Sequence, residues 1–264
     1  MLEEENNNNK EQSEIDPHNL MTKYLEDPNA LENGDMDVVL LAGDIWTGGM
    51  ETTLTATRWA IIFFMQNPDV QEKLHEEIVQ RYPRRSTGEF SYSSRDELPY
   101  LCAVIDEVLR LANVLPWNIP HRACKTFSLN GHSITEGTYI MFSYSALHHD
   151  EANFPDPYKF NPERFLRRSP TEEEKKEWMW RGKKIDDFVV YEKNPLLCPF
   201  GMGLRKCPGE TLAMKEICVF LIKLVQRFRF VTDALCPPDT TRCMGMTSVP
   251  REFVCRVQKR EDWY

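Results

Sequence analysis

Apolar residues recur at helical spacing in several stretches of the chain. From position 36 to 66 they repeat at intervals of about 3.6 residues until an Asn-Pro pair ends the pattern. A second long stripe runs from 212 to 227, and shorter amphipathic patterns cover 69–82 and the segment after Pro99. These patterns predict a mainly helical chain.

Short strand-like segments lie between and after the helices. An Asn-Gly pair predicts a hairpin turn between strands at 126–129 and 132–134, and a further strand follows at 138–142. The segment from 231 to the C-terminus also has strand and turn character. The predicted fold class is therefore mainly α with small β-sheets, an α+β arrangement.

Two regions depart from these patterns. Residues 1–35 are polar and contain four consecutive asparagines, so we expect them to be mobile apart from a short helix at 20–25. Residues 36–264 are predicted to form one domain. Within it, 168–194 is a charged insertion that contains a predicted surface helix at 171–178.

Composition narrows the class of protein. The chain has 264 residues, with 32 basic and 41 acidic side chains and a formal charge of −9, which argues against a nucleic-acid partner. Its eight cysteines include no Cys-x-x-Cys pair, so we expect reduced thiols in a cytosolic compartment. The longest apolar run, 59–65, is too short to span a membrane.

The segment Pro-Phe-Gly-Met-Gly-Leu-Arg-Lys-Cys-Pro-Gly-Glu at 199–210 concentrates the candidate chemistry. Its glycines, among them Gly203 and Gly209, permit a tight turn. Cys207 lies where this loop enters a predicted helix, and backbone N–H groups there favour a thiolate, the form that binds metal. Arg205 is a fixed cation suited to a carboxylate. A structural cysteine in a glycine-rich turn is the alternative.

Gly48 and Gly49 lie in the middle of the first long helix, directly before Met-Glu-Thr-Thr. Each glycine costs about 1 kcal/mol relative to alanine in a helix interior, so something other than helix stability favours this pair. A local opening beside a ligand is one physical reason, and a simple helix kink is the other.

Two further patterns have simple structural explanations. Glu107 and Arg110 share one helix face, where most such pairs form surface salt bridges. His148 and His149 are adjacent, and adjacent side chains point apart on a helix or a strand. We therefore reject a metal site at the two histidines.

Together, these residues resemble the cytochrome P-450 superfamily. The loop from Phe200 to Gly209 matches its haem-ligand pattern, Phe-x-x-Gly-x-Arg-x-Cys-x-Gly, at every fixed position. Gly-Gly-Met-Glu-Thr-Thr is similar to the family's helix over the haem. Glu107 and Arg110 resemble its buried Glu-x-x-Arg pair, whose cluster Arg164 completes from a Pro-Glu-Arg-Phe segment. The resemblance implies the C-terminal portion of the cytochrome P-450 fold, with this cluster in a structural role.

The resemblance implies a haem b cofactor whose iron is bound by the Cys207 thiolate. It also implies further cofactor contacts: Phe200 beside the sulfur, Arg205 and His121 at the propionates, Gly203 and Gly209 in the loop, and Gly48 and Gly49 next to the oxygen site.

The activity implied is monooxygenation of an apolar substrate, with Glu51 and Thr52 delivering protons. Electrons would come from NADPH through a flavin reductase, with cytochrome b5 as a second donor. The family resemblance also implies the cytoplasmic face of the endoplasmic reticulum membrane, although the sequence shows no targeting or transmembrane segment. The substrate-lining residues it implies are Trp46, Met50, Val114, Leu115, Asn118, Ile119, Met244 and Met246.

Two alternatives stay open at this point. One is a haem-thiolate isomerase or dehydratase, which would need no proton relay such as Glu51 and Thr52. The other is an incomplete, non-enzymatic fragment, because the resemblance extends only to the C-terminal half of the family's fold.

Overall fold

The computed structural model describes residues 20–26, 35–83, 92–167 and 190–261, together with the single positions 171, 173 and 176. Its contacts divide the chain into two compact units, Met1–Met50 and Glu51–Tyr264. The described part of the first unit holds α1 and the start of α2. All the other described elements belong to the second unit.

Helices dominate the described chain. Their bounds are α1 Leu20–Glu26, α2 Asp35–Gln66, α3 Pro68–Arg81, α4 Pro99–Ala112, α5 Tyr144–His148 and α6 Glu210–Arg227. Three short 3-10 helices are Tyr92–Glu97, Pro162–Phe165 and Gly203–Arg205. The periodic stripes therefore predicted the long helices to within about two residues.

The boundaries of α4 have clear physical causes. Pro99 occupies its first turn, where a missing N–H is tolerated. The Glu77 carboxylate of α3 accepts the next two N–H groups, from Tyr100 and Leu101, at 2.8 and 2.9 Å. The helix ends at Asn113, whose left-handed conformation has a φ of 45°.

The strands are short and pair in antiparallel twos. Their bounds are β1 His121–Arg122, β2 Phe127–Leu129, β3 His132–Ile134, β4 Tyr139–Ile140, β5 Leu166–Arg167, β6 Val190–Tyr191, β7 Phe228–Thr232, β8 Arg242–Met244, β9 Ser248–Pro250 and β10 Cys255–Lys259. The pairs are β1 with β4, β2 with β3, β5 with β6, β7 with β10, and β8 with β9. The β2–β3 hairpin is the one predicted from the Asn-Gly pair.

The main core joins the C-terminal part of α2 to α3, α4 and α6. Its largest buried side chains include Trp59, Phe64, Leu74, Leu101 and Ile217. Nearly the whole length of α4 is buried, which explains why polar residues on it need internal partners.

Some sequence predictions differ from the structure. The strand expected at 138–142 is shorter, and only Tyr139–Ile140 pairs. Residues 1–19 and 27–34 of the segment expected to be mobile, and most of the helix expected at 171–178, lie outside the described residues. Within the described part of the chain, no helix is long and apolar enough to cross a membrane.

Candidate haem-binding site

Cys207 lies in a short loop between the 3-10 helix Gly203–Arg205 and the start of α6. Its backbone N–H donates to the Phe200 carbonyl at 2.9 Å, which closes the loop. Gly201 and Gly203 have φ values of +77° and +73°, a region that only glycine adopts readily. An added Cβ on Gly203 would meet nothing within 4 Å, so conformation rather than space requires glycine there.

The loop presents Cys207 to the outside of the protein. Cys207 is a free, exposed cysteine. Met202 and Leu204 are also exposed, at 68% and 105%, although both are apolar. Phe200, by contrast, is half-buried and packs against the main core. A Cβ added to Gly209 would make ordinary contact with the Cys207 sulfur at 3.8 Å, so the sulfur does not exclude a side chain there.

The segment that precedes this loop is hydrogen-bonded to a buried histidine. The Cys198 N–H donates to Nε2 of His148 at 3.2 Å, and the His148 ring is fully buried. Burial, followed by the nearby Arg110 charge, lowers the pKa of His148 to about 4. In the sequence, His148 suggested only a metal site, which we rejected, and nothing there indicated this contact.

The structure brings Glu107, Arg110 and Arg164 together. The fully buried Arg110 donates two hydrogen bonds, of 2.7 and 2.9 Å, to the fully buried Glu107 carboxylate, and Arg164 donates to the same carboxylate at 3.1 Å. Arg110 also donates to the backbone carbonyls of His148 and Pro157 at 2.8 and 2.7 Å. The cluster therefore fixes the backbone of the segment after α5.

His121 is exposed at the start of β1, and its Nδ1 lies 2.8 Å from the amide nitrogen of Asn118. The Asn118 oxygen accepts the Phe142 N–H, so its amide nitrogen faces His121 as a donor. Neutral His121 then carries its proton on Nε2, and the residue is exposed. Arg205 is also exposed, as a propionate partner would need to be.

On α2, Glu51 is exposed and Thr52 is half-buried. The Glu51 carboxylate accepts a hydrogen bond from the Thr247 hydroxyl at 2.7 Å, a partner that sequence analysis did not identify. The neighbouring Thr53 hydroxyl is buried and has no hydrogen-bond partner among the described residues.

The first unit contains four of the residues singled out in the sequence. Trp46 and Met50 are 72% and 60% exposed. Gly48 and Gly49 lie within an uninterrupted α2, and a Cβ added to either would meet nothing within 4 Å.

The other candidate substrate residues fall into two groups. Ile119, Met244 and Met246 are 76%, 61% and 83% exposed. Val114 and Leu115 are half-buried, and the Val114 carbonyl accepts the Ser248 N–H at 2.7 Å. Asn118 is 7% exposed, and its side chain is engaged with His121 and Phe142.

A cavity of 210 Å³ lies between α4 and α6, behind Phe200, and its lining does not include Cys207. Asp106, 4% exposed, faces it and accepts a hydrogen bond from the Tyr191 hydroxyl. Burial raises the pKa of Asp106 to about 6, against the smaller opposing effects of Tyr191, Lys193 and Arg95.

The residues around Cys207 fit a haem group. Within the described ranges no three His, Cys, Asp or Glu side chains converge as a metal site, but haem iron needs only one protein ligand on this side. Cys207 can supply that ligand from an exposed loop. Arg205 and His121 supply donors for carboxylates, and the exposed Met202 and Leu204 offer apolar contact.

Comparisons with known proteins agree on one family. The family model named Cytochrome P450 matches residues 1–255. A 3-ketosteroid oxygenase of Caenorhabditis elegans is 34% identical over 97% of this chain and 41% of its own length. A steroid 17-alpha-hydroxylase/17,20 lyase of Gallus gallus is 33% identical over 88% of this chain and 42% of its own.

Solved structures give the same result. A zebrafish cytochrome P450 determined with abiraterone has a TM-score of 0.77 and 30% identity, and the match covers 93% of this chain and 55% of that one. Another, determined with progesterone, has a TM-score of 0.69 and 31% identity over 84% and 46% of the two chains. These matches confirm the predicted fold class.

This chain therefore spans about 41% of the first curated relative that it matches and 55% of the solved structure with the higher TM-score. The family model covers residues 1–255, nearly the whole sequence. The chain belongs to the cytochrome P450 family.

Proposed function

We propose that this chain binds haem b through Cys207. We also propose that the whole protein is a monooxygenase that oxidises an apolar small molecule. The observation that carries the proposal is the position of Cys207, which is exposed in a tight loop. The loop is closed by the hydrogen bond from the Cys207 N–H to the Phe200 carbonyl, and two of its glycines have positive φ. Because the chain spans under half of its first curated relatives, the activity of the whole protein is part of this proposal.

Each neighbouring residue has a proposed task. Cys207 would supply the thiolate ligand of the iron, while Arg205 and Nε2–H of His121 would bind the propionates. When bound, a haem iron with a thiolate ligand supplies dioxygen activation. Thr52 supplies a hydroxyl, and Glu51 supplies a carboxyl group that holds and passes on a proton. This acid and alcohol pair favours a monooxygenase over an isomerase or dehydratase.

The proposed substrate is an apolar molecule, and steroids are the first class to test. Two relatives have steroid oxidation in their names, and one structural neighbour was solved with progesterone. In this chain the exposed apolar residues Ile119, Met244 and Met246 are proposed to contact it. Apolar surfaces discriminate weakly among similar substrates, so a series of related steroids should be compared.

We further propose that electrons come from NADPH through a flavin reductase, with cytochrome b5 as a second donor, at the endoplasmic reticulum membrane. The family assignment supports this proposal. Exposed basic residues on α6, including Lys215 and Lys223, offer a surface for an acidic partner.

The test is haem reconstitution of the full 264-residue chain, followed by the absorption difference between the reduced and the carbon-monoxide-bound reduced forms. A thiolate-type Soret band is expected at one haem per chain, and Cys207→Ser should remove it. Cys236→Ser, which changes another exposed cysteine, should leave it unchanged. If haem-replete protein gives no such band, this chain does not bind haem through Cys207 and the proposal is wrong.

A further inference from the structure

The side chain of Thr247 makes a long-range contact with α2. Its hydroxyl donates to Oε1 of Glu51 at 2.7 Å, across a sequence separation of 196 residues. A carboxylate can only accept, so the direction of this bond is fixed. The distance is typical of a charge-assisted hydrogen bond, which is stronger than a bond between two neutral groups.

The backbone beside Thr247 is held from several sides. Ser248 is 1% exposed, and its N–H donates to the Val114 carbonyl at 2.7 Å. The Ser248 carbonyl accepts the indole N–H of Trp59 at 2.9 Å. Trp59 lies two helical turns from Glu51 on α2. The same helix therefore binds the β8–β9 hairpin through Trp59 and contacts Thr247 through Glu51.

Arg242 completes this support at the other strand of the hairpin. Its guanidinium donates to the Ser248 hydroxyl at 3.0 Å and to the Leu111 and Ala112 carbonyls of α4, and it lies 4.6 Å from the centre of the Trp59 ring. Thr247 itself is 8% exposed, while Glu51 is exposed. A buried donor on a well-supported hairpin therefore binds one oxygen of an exposed carboxylate.

We propose that Thr247 is a positioning residue that orients the Glu51 carboxyl group for proton delivery. With Oε1 fixed by Thr247, Oε2 is the oxygen left to exchange a proton. This inference rests on the proposed function, in which Glu51 passes protons. Thr247 lies between Met246 and Ser248, so the same hairpin that carries candidate substrate contacts also sets the geometry of the acid.

The first experiment reads the carboxylate directly. The infrared band of Glu51 is identified in the full chain as the difference between wild type and Glu51→Gln. Thr247→Val, which keeps the side-chain shape without the hydroxyl, should displace this band. Thr247→Ser should leave the band in place. Thr241→Val, a change at an exposed residue just before the same hairpin, should also leave it in place. An unmoved band in Thr247→Val overturns the proposal.

The second experiment measures NADPH consumption by the haem-loaded chain with a flavin reductase, in light and heavy water. Thr247→Val should lower the rate about tenfold, part of the 10²–10⁴-fold contribution of a positioned proton donor, and should increase the solvent isotope effect. Thr247→Ser should restore both. Equal rates and isotope effects in wild type and Thr247→Val would overturn the positioning role.

The two experiments separate this inference from the proposed function. The infrared measurement needs no haem. If the chain gives no thiolate-type Soret band, haem binding is contradicted. The Glu51 band can still show whether Thr247 orients that carboxyl group. If the chain binds haem but the Glu51 band is the same in wild type and Thr247→Val, only the inference is contradicted.

Discussion

The Cys198 N–H donates to Nε2 of the fully buried His148 at 3.2 Å, while the His148 carbonyl accepts a hydrogen bond from Arg110 at 2.8 Å. One residue thus connects the Glu107–Arg110 pair to the segment that leads into the Cys207 loop. Because Nε2 must accept, the neutral ring carries its proton on Nδ1. If Nε2 were protonated as well, its N–H would face the Cys198 N–H, and this hydrogen bond would be lost.

This geometry predicts a loss of stability in acid. Burial lowers the pKa of His148 from 6.5 to about 4, so the unfolded chain binds the proton more readily within that interval. The free energy of unfolding should therefore fall as the pH drops from about 6.5 towards 4, by an amount of the order of 3 kcal/mol for this residue.

Urea unfolding across this pH range checks the prediction. His148→Gln should be less stable at neutral pH but should lose less stability on acidification than wild type. His132→Gln, at an exposed histidine, should keep the wild-type pH dependence. Parallel pH curves for wild type and His148→Gln would contradict the prediction.

Asp106 should show the opposite pH dependence. Burial raises its pKa from 3.8 to about 6, so the folded chain retains the proton longer and stability falls as the pH rises through this interval. At neutral pH Asp106→Asn should therefore be more stable than wild type, by up to about 3 kcal/mol, because its amide oxygen can still accept the Tyr191 hydroxyl.

The matched change on the other side of this bond is Tyr191→Phe. It leaves the buried carboxylate without its donor and should lower stability by about 1–3 kcal/mol at neutral pH. Asp96→Asn, at a side chain that is 83% exposed, serves as the control and should have little effect. Thermal unfolding at neutral pH compares the three variants, and a destabilised Asp106→Asn would count against the raised pKa.

Breaking the Glu107–Arg110 pair should be costly. Arg110→Met leaves a fully buried carboxylate short of its main partner and should lower the free energy of unfolding by about 3–5 kcal/mol. Arg110→Lys cannot reproduce the forked contact and should recover only part of that loss. Urea unfolding measures both.

The control for this prediction is Arg251→Met. Arg251 pairs with Asp239 at 3.4 Å, but the two side chains are 58% and 45% exposed, so the change should stay within about 0.5 kcal/mol. Similar losses for Arg110→Met and Arg251→Met would show that the buried cluster does not stabilise the fold as we expect.

Arg242→Met should destabilise the β8–β9 hairpin and its contact with α4. The change removes the donors to the Leu111 and Ala112 carbonyls and the contact with the Trp59 ring, which together should cost about 2–4 kcal/mol. Amide exchange at 242–250 should become faster. Arg256→Met, at a side chain that is 64% exposed, should change neither quantity, and unaltered exchange in Arg242→Met would contradict the prediction.

The sequence by itself determined the family, the long helices and the Cys207 loop. Helical periodicity is a local property, so α2, α3 and α6 could be placed from residue spacing alone. Glycine and cysteine spacing in the loop is equally local, because a positive φ at Gly203 depends on the residue type and not on a distant partner.

The resemblance also led to the long-range cluster, since it supplied Arg164 as the third member beside Glu107 and Arg110. Local spacing would have given only the pair within α4. The structure adds what those residues hold: the carbonyls of His148 and Pro157, which lie 38 and 47 residues beyond Arg110.

Only the tertiary structure decided which polar residues meet across the chain. Nothing in the neighbourhood of Thr247 indicates that its hydroxyl bonds Glu51, and nothing beside His148 indicates that its ring accepts the Cys198 N–H. Such contacts depend on how α2, α4 and the hairpins pack. Burial then makes each unmade hydrogen bond expensive, so the folded chain pairs donors and acceptors that lie far apart in sequence.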